Sequence, residues 1–169
     1  MLKNEIVPEE GYSKLIGILV CQMIHVRNDT IKLTKKLSIK ELDYNFDDKS
    51  NSIGTLLLHI ATLEFMFLLN HFSYSNTSED LFLELGKAVP LNMDKKLIYG
   101  NNFDYYLNYL NMFRNESLKN LKLLTDDWLF KTIKDHNGKE LGNYYYLLRH
   151  IIDDEISHQG QIKLILKRL

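Results

Sequence analysis

The apolar positions of the chain fall into four blocks, each with the three-and-four spacing of an α-helix. In the first, from Gly11 to Lys36, Leu15, Ile18, Leu19, Met23 and Val26 share a face. Pro8 suits a first helical turn ahead of it, with Glu9 and Glu10 favourable beside the positive end of the helix dipole. His25 and Arg27 lie near its inner face, and a structural role is the ordinary one for such a histidine. A polar connection, Leu37 to Ser50, follows. Asn51 or Ser52 then caps a second helix that runs to Phe72, with Leu56, His59, Leu63 and Phe67 facing inward. Glu64 comes five residues after His59, well around the helix and off that stripe.

Residues Ser73 to Asp80 form a turn cluster, and Leu81 to Asn102 is the least regular stretch. A short helix there ends at Gly86, and Pro90 and Gly100 interrupt the remainder. The third long helix is expected from Asn102 to Leu124, with Tyr106, Leu110, Phe113, Ser117 and Leu121 inward. Thr125 to Asn143 returns as a loop anchored by Trp128 and Phe130, with an exposed turn at Lys134 to Lys139. The last helix, Tyr144 to Leu169, carries a face made of Leu147, Ile151, Asp154, His158, Gln161 and Ile165. These elements predict an all-α chain, a single domain over residues 1–169. Its architecture is an up-down-down-up four-helix bundle with one long crossover and short extra helices.

Composition narrows the function classes. The 169 residues suffice for one domain with a core, and the formal net charge of −1 gives no electrostatic case for nucleic acid or membrane partners. A single cysteine, Cys21, excludes an intrachain disulfide framework and fits a reducing cytoplasmic setting. The N-terminal residues do not read as a signal peptide, and the most apolar region, Ile53 to Phe72, is interrupted by His59, Glu64 and His71. P-loop, GxGxxG, CxxC and HExxH motifs are absent.

Candidate chemistry sits in the middle of the last helix. Asp154 and His158 are four apart on a face whose two ends are apolar. A carboxylate turned toward a core costs several kcal/mol unless something pairs with it. A divalent ion held by this pair and by His59 from the second helix would be that partner. Two imidazoles and one carboxylate suit zinc, nickel, manganese or iron alike. The plain alternative is an Asp–His pair that bonds to itself or faces solvent. Asp153 and Glu155 read as surface acids, and His150 as either a supporting partner of the site or an ordinary helix histidine.

The stretches SIGTLLLHIATLEFMFL and LLRHIIDDEISHQGQIKLI resemble the DinB-like superfamily of four-helix-bundle metalloproteins. Those proteins carry a histidine followed by a glutamate in the second helix, and a His-x-x-x-His-Arg-Gly-Gln-Ile block in the last. His59 falls on the first histidine, and His158-Gln159-Gly160-Gln161-Ile162 on the final block. Asp154 stands where the family has histidine, and Gln159 where it has arginine. The resemblance implies metal ligands His59, Asp154 and His158, with Gln161 near a bound thiol or water and Glu155 or His150 in support. It also implies a metal-dependent enzyme acting on a small electrophile, such as an S-transferase using a low-molecular-weight thiol (mycothiol or bacillithiol) or a hydrolase. The changed ligand position leaves open a second expectation. This is a non-catalytic, homodimeric, stress-related bundle whose aromatic third helix (Tyr105, Tyr106, Tyr109) meets a partner copy.

Overall fold

The computed structural model describes residues 5–88 and 98–169. Four long helices make the body: α1 (Lys14–Thr34), α3 (Ile53–His71), α5 (Phe103–Leu121) and α7 (Tyr144–Leu166). Between them lie the short helices α2 (Ile39–Leu42), α4 (Glu79–Gly86) and α6 (Asp126–Leu129), and a two-stranded antiparallel hairpin of β1 (Thr132–Lys134) and β2 (Glu140–Asn143). The predicted long helices are all present. The loop expected at 125–143 instead contains α6 and the hairpin, with the predicted turn at its tip. Pro90 and most of the stretch around it lie outside the described residues.

Helix starts follow local chemistry. Ser52, Ser78, Asn102 and Asn143 each place a side-chain oxygen on an amide of the first turn, and Ser38 and Glu41 close a capping box on α2. α1 departs from expectation. It begins at Lys14, so Pro8, Glu9 and Glu10 lie outside it. Its N-cap Ser13 makes no capping bond, and Asp126 Oδ1, from far along the chain, accepts from the amides of Leu15 at 2.9 Å and Ile16 at 3.2 Å. The negative charge at the positive end of α1 therefore arrives by tertiary packing.

Named contacts set the helix directions. Tyr12 reaches Leu118 and Arg114 reaches Met23, so α1 and α5 run antiparallel. Gly54 lies against Tyr106 and Glu64 against Arg114, so α3 and α5 run parallel. His71 meets Tyr144 while His59 meets His158, so α3 and α7 are antiparallel. The result is the expected up-down-down-up bundle. Gly54 is required where α3 approaches α5, since a Cβ there would sit 2.3 Å from the Tyr106 hydroxyl.

The core divides into two apolar clusters. One, around Leu57, Phe65, Tyr106 and Phe113, lies mainly between α3 and α5; the other, around Ile16, Met23, Leu148 and Ile152, between α1 and α7. The aromatic residues of α5 thus mostly face inward: Tyr106 and Phe113 are fully buried, and Tyr105 and Tyr109 pack against the core. α3 is long and apolar enough to cross a membrane by composition, yet 78% of its most apolar window is buried in the bundle, as a core helix would be. Trp128 anchors its segment by stacking on Tyr144, with ring centroids 4.1 Å apart. Phe130 does not: it is 59% exposed and stacks on the Tyr145 ring at the surface.

Candidate metal centre

α7 buries Leu148, Ile151, Ile152, Glu155, His158, Gln159, Ile162 and Ile165. Its inner face is therefore centred about one residue away from the predicted stripe. Asp154 stands at the edge of that face, with its side chain 21% exposed, while His158 stays inside. His59, buried on α3, meets His158 edge to face with ring centroids 5.1 Å apart. The ligand atoms of His59, Asp154 and His158 all lie within 4.8 Å of one another, and they form a group able to hold a metal ion.

Each imidazole is oriented from behind. His59 Nδ1 lies 2.7 Å from the Ala88 carbonyl oxygen, which can only accept, so Nδ1 carries the proton and Nε2 keeps its lone pair. His158 Nδ1 donates in the same way to Gln161 Oε1 at 3.1 Å. This arrangement, one ring nitrogen held and the other presented, is typical of metal-ligating histidines. His158 Nε2 lies 3.2 Å from Asp154 Oδ2, close enough for an ion pair but without the alignment of a hydrogen bond, and it is buried with no hydrogen-bond partner. A buried ring nitrogen facing a carboxylate oxygen without a hydrogen bond between them fits two ligands of one cation. Two neutral imidazoles and a carboxylate are a complete three-donor set for an open site.

The electrostatics agree with the geometry. Burial lowers the pKa of His59, and the neighbouring His158 lowers it further. Burial also works against a charged His158, but the facing Asp154 outweighs it and lifts that pKa above the ordinary histidine value. Burial raises the pKa of Asp154, yet its contacts with His158 bring it below the usual carboxylate range. Without an ion, the site is poised between a His158–Asp154 pair and an open donor set.

The remaining predicted residues are placed as follows. Gln161 is solvent-exposed and reaches the group through His158. His150 is exposed and stacks on Tyr146. Glu155 is neither a surface acid nor beside the three donors. It is 1% exposed at the centre of an ion cluster that links all four long helices.

In that cluster, Arg27 Nε donates to Glu155 Oε1 at 2.8 Å and Arg114 Nε donates to Glu64 Oε1 at 2.7 Å. Arg27 Nη2 also reaches Glu64, and Arg114 Nη2 reaches Glu155. Nη1 of Arg27 donates to the Leu110 carbonyl and Nη1 of Arg114 to the Met23 carbonyl. Thr30 donates to Glu155 and accepts from Gln159, whose amide also reaches the Val26 carbonyl. Burial would raise the Glu155 pKa, but Arg27 and Arg114 outweigh it and hold the carboxyl below its ordinary range. Sequence reasoning missed this cluster, though a signal was available. Arg27, Glu64, Arg114 and Glu155 each follow a buried apolar residue (Met23, Ile60, Leu110, Ile151) by four, which puts one charge on the inner face of every long helix.

The chain belongs to the DinB superfamily, whose sequence profile matches residues 22–162. The match includes His59, Asp154 and His158. No curated protein matches the chain.

Proposed function

We propose that this DinB-superfamily protein is a divalent-metal enzyme in which His59, Asp154 and His158 hold the ion. The single observation that carries the reading is the pair of imidazoles locked through Nδ1, with the buried Nε2 of His158 left unpartnered beside Asp154. A bound divalent ion supplies Lewis acidity that lowers the pKa of a nearby thiol or water. The protein's own part is to hold Nδ1 of each ring in a hydrogen bond, so that each Nε2 is the atom turned toward the ion. Asp154, with one side open to solvent, supplies negative charge and leaves room for a small molecule. The reaction class that fits is attack by an activated low-molecular-weight thiol, or by water, on a small electrophile: an S-transferase or a hydrolase.

The test is elemental analysis and thermal melting of purified protein. Stoichiometric metal and a rise in Tm on adding zinc, nickel or manganese are expected, both lost in His59→Ala. Metal-free protein whose Tm does not respond to any of these ions would overturn the reading.

A second reading has its own support in the 3.2 Å approach of His158 to Asp154. If the histidine is protonated, the two compensate each other without an ion. The protein would then be a non-catalytic bundle, acting as a homodimer or binding module. Under that reading Asp154→Asn lowers stability with no ion added, and chelators have no effect.

A further inference from the structure

One turn from His59 and His158 along the seam of α3 and α7, a cavity of about 220 Å³ opens beneath the loop that leads into α3. Its walls are apolar: Phe46 from the loop, Leu56 from α3, and Leu164 and Ile165 from α7. Its polar edge is made by Lys49, Ser50, Asn51 and Gln161. Two features ask for a ligand. Asn51 Oδ1 is buried with no hydrogen-bond partner, an unfavourable position for an acceptor unless a donor arrives. The Arg168 guanidinium stacks over the Phe46 ring at 4.9 Å and donates to the Leu164 carbonyl, so a cation is held against two residues of the cavity wall.

We propose that this cavity binds a short-chain hydroxy-carboxylate. The carboxylate pairs with Lys49 and Arg168, the chain lies along Phe46, Leu56 and Ile165, and the hydroxyl donates to Asn51 Oδ1. The volume equals that of roughly seven water molecules at ~30 Å³ each, room for a chain of about six carbons. Gln161 belongs to both sites, since it lines the cavity and accepts from His158 Nδ1. A molecule seated here lies beside the residue that orients a metal donor. Binding itself needs no ion, so the inference goes beyond the metal reading and stands or falls separately.

The experiment titrates 6-hydroxyhexanoate, hexanoate and 1,6-hexanediol into metal-free full-length protein and into His59→Ala, reading the side-chain amide resonances of Asn51 and Gln161 by two-dimensional NMR. The hydroxy acid is expected to bind tightest, to shift both amides, and to bind equally in His59→Ala. The Lys49→Met/Arg168→Met double variant, changed only at the rim, should weaken it about tenfold, as two partly exposed ion pairs would. Leu164→Trp, which fills the cavity from an exposed position, should abolish binding. Unmoved Asn51 and Gln161 resonances, equal affinity for the three probes, or full affinity in the rim variant would each overturn the proposal. Loss of metal uptake in His59→Ala with probe binding intact would leave it standing.

Discussion

Two polar clusters lie in the same bundle and share α3 and α7, yet they meet the cost of burial in opposite ways. Arg27, Glu64, Arg114 and Glu155 carry two positive and two negative charges, each at most 6% exposed, and saturate one another with side-chain and carbonyl bonds. His59, Asp154 and His158 hold fewer charges and leave one buried nitrogen unmatched. The adjacent residues Asp154 and Glu155 belong to different clusters, because one residue along a helix turns a side chain by ~100°. The lesson is that buried charge alone does not mark a functional site. The closed cluster ties helices together, while the incomplete one is able to recruit a ligand.

The sharpest way to break this comparison is to remove one member of the closed cluster. Glu155→Ala or Glu64→Ala should destabilise the fold by about 3–5 kcal/mol, measured by urea unfolding, because two guanidinium groups then stay buried without their partner. A cost below ~1 kcal/mol, the scale of an exposed pair, would show that the cluster is solvated.

Next in size, His158→Ala should abolish metal uptake and the metal-dependent stabilisation, which at ligand concentrations 100-fold above Kd amounts to about 2.7 kcal/mol and is read as a rise in Tm. The same variant should leave the metal-free protein folded. Thermal melts with and without zinc separate the two outcomes.

Acid should also distinguish the clusters. Metal binding requires a neutral His158, and its raised pKa means that metal affinity falls as pH drops through a value above the ordinary 6.5. In the metal-free protein the sign reverses. The raised pKa adds stability that is fully present below 6.5 and fades as pH rises through the folded-state value. Glu155 behaves as a lowered carboxylate: its contribution is present above its ordinary 4.5 and is lost as pH falls through the depressed folded-state pKa. Metal titrations near neutral pH, and denaturant melts carried from about pH 8 down to about pH 2, would show whether the two transitions separate in this order.

The smallest expected effect concerns the support of a single ligand. Gln161→Leu removes the acceptor on His158 Nδ1 and should weaken metal binding about tenfold with little change in stability, read by competition with a chromogenic chelator. Unchanged affinity would mean that packing alone orients the ring.

Much of the site and fold was legible along the chain. Helical spacing placed all four long helices, and Ser52, one of the two caps expected for the second of them, does cap it. The four-residue step from Asp154 to His158 put both donors on one helix surface, and their convergence with His59 follows the expectation drawn from the superfamily's motifs. These features are local: a period, a cap or a pair on one turn depends on residues a few positions apart. Other features could be decided only by the folded chain. Glu155 looks like any acid on a helix, and its burial is tolerable because Arg27 and Arg114 arrive from 128 and 41 residues away. The same holds for Asp126 at the start of α1, for Ala88 behind His59, and for the exposure of Phe130. Burying a polar group is unfavourable until its partners are in place, so those partners belong to the tertiary structure and not to any local pattern of residues.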